Sequence, residues 1–205
     1  MAGLFVTFEG VEGAGKTTQI RLLRDTLTAE GQHSVCVTRE PGGDALAEGI
    51  RSLLLHVAMT PRAELLLFLA SRAQNVESII RPHLAAGGIV LCDRYIDSSV
   101  AYQGVARGLG RDNVAHLNTF ATHGLIPDLT FLLDLAPEAG LARQQERNRM
   151  ESESLAFHQR VREGYLAEAQ NNASRFCILD AALPPDALQS LILTRTQAAL
   201  AEVQG

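Results

Sequence analysis

Short apolar runs alternate with segments of helical spacing along the chain. Five of these runs are rich in strand-forming residues, at positions 3–8, 33–38, 89–93, 129–134 and 175–179. Each is followed by apolar residues that recur every three or four positions, as on one face of a helix. The alternation predicts a parallel sheet of five strands with helices on both sides. No linker or repeat interrupts it, so residues 1–205 are predicted to form a single domain.

Helix boundaries are predicted from capping residues. Asp44 is a plausible N-cap, and Pro61 suits the first position of a helix that Gly87 and Gly88 end. That helix carries an apolar stripe spaced for one buried face, made of Leu65/Leu66, Leu69, Ala73, Val76, Ile80 and Leu84. The other predicted helices begin at about residue 18 and cover 98–106, 112–123, 137–147, 154–171 and 185–203.

A glycine-rich loop lies between the first strand and the first helix. Residues 10–17 read GVEGAGKT and fit the pattern G-x-x-x-x-G-K-[S/T] of phosphate-binding loops. Lys16 is placed to hold the β- and γ-phosphates, and the Thr17 hydroxyl to bind Mg²⁺. A ligand-free glycine turn is the alternative, but it leaves the Lys-Thr ending unexplained. The predicted nucleotide-binding residues are Gly10, Val11, Glu12, Gly13, Ala14, Gly15, Lys16, Thr17 and Thr18.

Composition narrows the choice of partner and compartment. The 205 residues carry a formal net charge of −5, which argues against broad binding to nucleic acid or to an anionic membrane. No signal peptide or bilayer-spanning run is evident. Three cysteines, Cys36, Cys92 and Cys177, lie far apart in strand-like runs, where buried reduced thiols are expected. These features predict a cytoplasmic protein.

Polar residues after the third strand narrow the chemistry. Asp93 and Arg94 lie at the carboxyl end of a central strand, where ligands of such sheets bind. Asp93 is suited to a Mg²⁺-bound water, and Arg94 to bridging two phosphates. A simple Asp-Arg ion pair is the alternative. The chain contains no Asn/Thr-Lys-x-Asp guanine-reading segment, which disfavours a GTPase and favours a kinase of a small acceptor.

Two further groups fit such a kinase. Phe68 and Arg72 are one helical turn apart and could receive a base, although a core position is the more frequent role for such a phenylalanine. Arg143, Arg147 and Arg149 could stabilise a transferring phosphoryl group. Alternatively, these arginines form a solvated helix face with neighbouring glutamates.

Four segments together resemble the thymidylate kinase family. They are residues 91–103 (LCDRYIDSSVAYQ), 38–43 (TREPGG), 127–134 (PDLTFLLD) and the loop GVEGAGKTT. The resemblance implies a P-loop NTPase-type three-layer α/β/α fold with a small helical lid at about 143–153. It implies transfer of phosphate from ATP to dTMP with Mg²⁺, and a homodimer with helix-on-helix packing. A kinase for another nucleoside monophosphate or a deoxynucleoside, or an ATP-responsive regulator on this fold, is the alternative.

The resemblance also assigns roles to residues. Phe68 would stack on thymine, Arg72 would bind its edge, and Ser99 and Gln103 would line the base pocket. Glu12 would contact the sugar 3′-hydroxyl, Tyr102 would crowd the 2′ position, and Arg94 and Glu40 would lie near the acceptor phosphate. The Glu40–Pro41 peptide bond is predicted to be cis.

The resemblance also implies where the catalytic arginine lies. Residues 11–14 contain no Arg or Lys, so the chain resembles the members that place this arginine in the lid. Arg147 or Arg149 is then the candidate, and Arg143 would lie over adenine.

Overall fold

Five parallel strands form the centre of the molecule. The computed structural model describes residues 3–31, 33–144 and 148–204. The strands are β1 (Leu4–Glu9), β2 (Val35–Arg39), β3 (Ile89–Asp93), β4 (Leu129–Asp134) and β5 (Phe176–Asp180), in the spatial order β2-β3-β1-β4-β5. Each lies within two residues of its predicted position. The predicted five-stranded parallel sheet is therefore confirmed.

Helices cover both faces of the sheet, as predicted. They are α1 (Lys16–Glu30), α2 (Ala45–His56), α3 (Pro61–Asn75), α4 (Arg81–Ala85), α5 (Ile96–Ser99), α6 (Arg111–Thr122), α7 (Pro137–Ala142), α8 (Leu155–Asn171) and α9 (Pro185–Gln204). On β1, Val6 and Phe8 belong to the same core cluster as Leu23 of α1. The intervening Phe5 packs with Val76 and Ile80 instead. The alternation of a strand between its two faces thus explains the three layers.

Two predicted helices contain π-helical segments. The helix expected up to residue 86 consists of α3, a π segment at Val76–Ile80 and α4. The second π segment, Val100–Ala106, follows α5 directly. The Asp44 cap is confirmed, since Asp44 Oδ1 accepts from Ala47 N at 2.9 Å.

Some sequence expectations were wrong in detail. Leu66 is 61% exposed, because the buried stripe of α3 passes through Leu65 instead. α7 ends at Ala142, short of residue 147, and residues 145–147 lie outside the described part. The described lid residues, 143–144 and 148–153, contain turns but no helix. One cause is Asn148, whose Oδ1 accepts from the backbone N–H of Met150 and Glu151 and closes a turn.

Sequence expectations also covered the three thiols and the Glu40–Pro41 peptide bond. All three cysteines are free, and Cys92 on β3 is buried as expected. Cys36 and Cys177 are only partly buried, because β2 and β5 are the edge strands. The Glu40–Pro41 bond is cis, which confirms that prediction. Among the described residues, no helix combines the length and apolar character of a membrane span.

Candidate active site

The glycine-rich loop joins the carboxyl end of β1 to the N-terminus of α1. Gly10 has φ 140°, and a Cβ there would lie 2.5 Å from the Leu133 carbonyl oxygen, so only glycine fits. α1 begins at Lys16, and its first amides are free to bind an anion. The loop thus has the geometry that its sequence predicted.

Lys16 is buried and held by the loop itself. Its Nζ donates to the carbonyl oxygens of Gly10 and Val11, at 3.1 and 3.0 Å. Burial, followed by the nearby positive charge of Arg94, lowers the pKa of Lys16 to about 8. A bound polyphosphate would place further negative charge beside this ammonium group and favour its protonated form.

Thr17 and Asp93 meet beside the loop. Thr17 Oγ1 donates to Asp93 Oδ2 at 2.9 Å, across 76 positions of sequence. Both side chains offer oxygen atoms that can act as hard metal ligands, and both line the open cavity. Mg²⁺ prefers such ligands, completed by water and phosphate oxygens. The two residues therefore fit the predicted magnesium site.

Arg94 reaches from β3 back over the loop. Its backbone has φ 69°, an uncommon conformation for a residue other than glycine. Its Nη1 donates to the Gly10 carbonyl oxygen at 3.0 Å, and its Nη2 to Glu12 Oε1 at 2.9 Å. Burial alone would raise the pKa of Glu12, but Arg94 and then Lys16 outweigh it and lower that pKa. Tyr102 donates its hydroxyl hydrogen to the other oxygen of Glu12.

A buried polar cluster supports Arg94 from beneath. Tyr165 OH lies 2.9 Å from Arg94 Nη1 and 2.7 Å from Ser98 Oγ. Glu9 Oε2 accepts from both hydroxyl groups, at 2.9 and 2.6 Å. Burial, and secondly the charge of Asp97, raises the pKa of Glu9 to about 7. The sequence reasoning missed these residues because they come from three separate elements.

The predicted base-binding residues lie together at the other end of the cavity. They are Phe68, Arg72, Ser99, Tyr102 and Gln103, and all line the cavity. Arg72 is 1% exposed. It donates to Glu40 Oε2, Ser99 Oγ, Asn118 Oδ1 and the Tyr95 carbonyl oxygen, at 2.7, 2.9, 2.5 and 2.8 Å. A guanidinium group has five N–H donors, so one Nη2 hydrogen has no acceptor among the described residues.

Glu40 and Arg51 also line this end of the cavity. Glu40 is buried and binds Arg72 and Asn75, so it orients the arginine that was predicted to bind the base. Arg51 on α2 was missed by the sequence reasoning, yet it lines the cavity and donates to the Pro41 carbonyl oxygen at 2.9 Å. The sequence signal that could have identified Arg51 is its positive charge on the helix that follows the TREPGG segment.

The lid arginines have different surroundings. Arg143 is exposed and donates to the Gly13 carbonyl oxygen at 2.8 Å, beside the phosphate loop. Arg149 instead donates to Glu64 Oε2 at 2.7 Å and to the Leu54 carbonyl oxygen at 2.9 Å. Arg147 lies outside the described residues.

The loop residues divide by exposure to the cavity. Those that line it are Glu12, Gly13, Gly15, Lys16, Thr17 and Thr18, and those buried behind it are Gly10, Val11 and Ala14.

The cavity holds about 720 Å³ and connects the phosphate loop with Phe68 and Arg72. Arg94 lies on its wall, where it binds Gly10 and Glu12 of the loop and lies over the ring of Tyr102 from the other end. The fold and this two-ended cavity define a P-loop kinase that acts on a small acceptor.

Comparison with known proteins narrows this class to a family. The family model for thymidylate kinase matches residues 8–192, so the chain belongs to the thymidylate kinase family. It is 54% identical over 196 residues to a thymidylate kinase of Desulfovibrio desulfuricans, covering 89% of this chain and 90% of that one. It is 49% identical over 212 residues to one of Geotalea uraniireducens, covering 98% and 99%.

A solved structure agrees with these sequence matches. The crystal structure of thymidylate kinase from Ehrlichia chaffeensis superposes with a TM-score of 0.80 at 32% identity. The match covers 96% of this chain and 100% of that chain. The family named by the resemblance is thereby confirmed.

Proposed function

We propose that the cavity receives ATP at the phosphate loop and dTMP at the Phe68 end, and that the chain phosphorylates dTMP to dTDP in nucleotide synthesis. The observation that carries the proposal is the position of Arg94. Its guanidinium group binds the Gly10 carbonyl oxygen and Glu12 of the phosphate loop, and it lies 5.2 Å from the centre of the Tyr102 ring, at the acceptor end of the same cavity. An arginine there can hold the acceptor phosphate close to the γ-phosphate of the donor.

The acceptor would be held at three points. Phe68 lies beside the base, and Arg72 offers its remaining Nη2 hydrogen to a carbonyl oxygen of the ring. Glu12 and Tyr102, already bonded to each other, lie where the sugar must pass. The guanidinium groups of Arg94 and Arg51 would receive the phosphate, since both line the same cavity.

The reaction is a direct displacement. A phosphate oxygen of dTMP attacks the γ-phosphorus of ATP, and the bond from that phosphorus to the β–γ bridging oxygen breaks, which releases ADP. Lys16 and the loop amides hold the donor phosphates, while Arg94 keeps the attacking oxygen in line. Thr17 and Asp93 would hold Mg²⁺, which supplies positive charge to the phosphate oxygens when bound. No covalent enzyme intermediate is required.

The arginine that stabilises the transferring phosphoryl group is assigned to the lid. Arg149 is occupied by Glu64, so Arg147 is our candidate for the catalytic arginine, with Arg143 over adenine. This assignment follows the form of the family in which the phosphate loop carries no arginine. The three free thiols suit a reducing compartment and support a cytoplasmic location.

A panel of acceptors tests the proposed reaction. With ATP and Mg²⁺, formation of ADP is expected with dTMP and, more weakly, with dUMP. AMP, GMP, CMP and thymidine are expected to be refused, because only a 4-keto pyrimidine with a 5′-phosphate satisfies both ends of the cavity. A coupled ADP assay and chromatography of the products measure this. Absence of dTDP with an intact, ATP-binding protein would contradict the proposal and favour a regulator.

We also propose that the chain forms a homodimer through α3 and α6. These two helices pack side by side and leave Leu66 and Phe120 exposed at 61% and 79%. Leu53 on α2, which packs against α3, is 47% exposed. A second copy of the same chain can cover such neighbouring apolar side chains by helix-on-helix packing, as the family resemblance suggests.

Replacing Phe120 by aspartate is expected to convert the dimer into a monomer. A charge at this position would be desolvated at the interface, and light scattering coupled to gel filtration reports the mass. Leu191→Asp is the matched control, because Leu191 is an exposed leucine of α9, at 47%. The control should stay dimeric. A monomeric wild type, or a dimeric Phe120→Asp variant, would disprove the proposed interface.

A further inference from the structure

Glu64 is a buried carboxylate next to the base-binding end of the cavity. It lies in the first turn of α3 and is 1% exposed. Its Oε1 accepts from Gln103 Nε2 at 2.9 Å and from Arg107 Nε at 3.2 Å. Its Oε2 accepts from Arg107 Nη2 at 3.1 Å and from Arg149 Nη1 at 2.7 Å. The proposed reaction gives this residue no role so far.

The charge state of Glu64 follows from these contacts. Burial alone would raise its pKa, but the hydrogen bonds from Gln103, Arg107 and Arg149 outweigh burial and lower it. The side chain is therefore ionised at neutral pH. An ionised carboxylate accepts hydrogen bonds and cannot donate one.

This property determines the orientation of the Gln103 amide. Only the NH₂ group of Gln103 can face a carboxylate, so the carbonyl oxygen Oε1 must point elsewhere. Gln103 lines the cavity, and its Oε1 makes no hydrogen bond within the described part of the chain. The neighbouring Arg72 contributes the opposite kind of group, an Nη2 hydrogen to which no described residue offers an acceptor. The end of the cavity therefore presents one acceptor and one donor.

That pattern distinguishes two kinds of pyrimidine. Thymine and uracil present an N3–H donor beside the O4 acceptor, which complements Gln103 Oε1 and Arg72. Cytosine presents an N3 acceptor beside an amino donor, which is the reverse. We propose that Glu64 is a positioning residue that fixes the amide orientation of Gln103 and thereby makes the site select 4-keto over 4-amino pyrimidine monophosphates. This inference rests on the proposed function.

Substitution of Glu64 by glutamine tests the mechanism. Two arginine N–H groups, from Arg107 Nη2 and Arg149 Nη1, face the Oε2 position and only Arg107 Nε faces the Oε1 position, so the oxygen of the new amide would take the Oε2 position and its NH₂ group would face Gln103. Gln103 must then turn its own oxygen toward position 64 and its NH₂ group toward the base. The rejected cytosine edge would become the matched one.

The readout is the ratio of kcat/KM values for three acceptors. In Glu64→Gln, the ratio of dCMP to dTMP is expected to rise at least about tenfold. The turned Gln103 amide would match the cytosine edge and oppose the thymine edge, and a hydrogen-bond mismatch in a buried site is costly. The ratio of dUMP to dTMP should stay unchanged, since both bases have the same hydrogen-bonding edge. A merely structural role of Glu64 would lower all three values together and leave both ratios unchanged, and that result would overturn the proposal.

Arg107→Lys is the matched control. It disturbs the same cluster and lowers thermal stability, but it leaves the carboxylate facing Gln103. Its dCMP to dTMP ratio should equal that of the wild type, and an increase like that of Glu64→Gln would also overturn the proposal. Where Glu64→Gln does not fold, Glu64→Gln/Arg107→Met restores the local charge balance and carries the same expectation. A wild type that ignores dTMP would instead refute the proposed function itself.

Discussion

Replacement of Lys16 by alanine is expected to lower kcat/KM for ATP by about a thousandfold or more. Lys16 is the buried cation at the start of α1, and among the described residues its Nζ donates to two loop carbonyl oxygens. Groups that stabilise a transferring phosphoryl charge contribute roughly two to five powers of ten in rate. Steady-state kinetics with saturating dTMP measure the effect. A variant that retains most of its turnover would show that the loop does not hold the triphosphate.

The pH dependence of ATP binding gives a second readout for Lys16. Its pKa of about 8 in the empty site is below that of a free lysine, and phosphate charge favours the protonated form. Above pH 8 the empty protein has lost this proton, so ATP must bind together with a proton. The dissociation constant should therefore rise with pH above about 8, by up to tenfold per unit. Calorimetry in two buffers of different ionisation enthalpy should detect proton uptake.

Lys16→Arg is the control for this pH effect. Arginine stays protonated across the range, so the variant should bind ATP with little dependence on pH near 8, even if its geometry slows the reaction. If the wild type and this variant showed the same pH profile, the titrating group would not be Lys16.

Replacement of Arg94 by alanine is expected to lower kcat/KM for dTMP by roughly a hundredfold to a thousandfold. The guanidinium group connects the Gly10 carbonyl with Glu12, and together with Arg51 it is assigned to the acceptor phosphate. Its loss also removes the main positive neighbour of Glu12, whose pKa should rise. The affinity for ATP should change much less, which separates this variant from Lys16→Ala.

Arg94→Lys is the matched variant. Alanine and lysine share the cost of φ 69° at this position, so backbone strain does not distinguish them. Lysine keeps the charge, but its N–H groups are on one nitrogen, whereas Arg94 contacts Gly10 and Glu12 through two separate nitrogens, so intermediate activity is expected. If Arg94→Ala bound and phosphorylated dTMP normally, the acceptor phosphate would have to lie elsewhere in the cavity.

Sequence by itself determined the features that depend on neighbouring positions. The loop at residues 10–17, its strand and its helix form one contiguous segment, so their residues specify the nucleotide site directly. The three inner strands, β1, β3 and β4, were likewise predictable, because burial on both faces demands continuous apolar runs. The Asp44 cap depends on an amide only three positions away.

Tertiary structure alone decided which distant side chains meet. Arg72 was predicted to bind the base, but its contacts with Ser99 and Asn118 span 27 and 46 positions. Arg149, one of the two candidates for the catalytic arginine, binds Glu64, 85 positions away. Such partners depend on how separate helices pack, which no local spacing encodes. Local patterns therefore specified the nucleotide end of this protein, and packing between helices specified how its acceptor end is arranged.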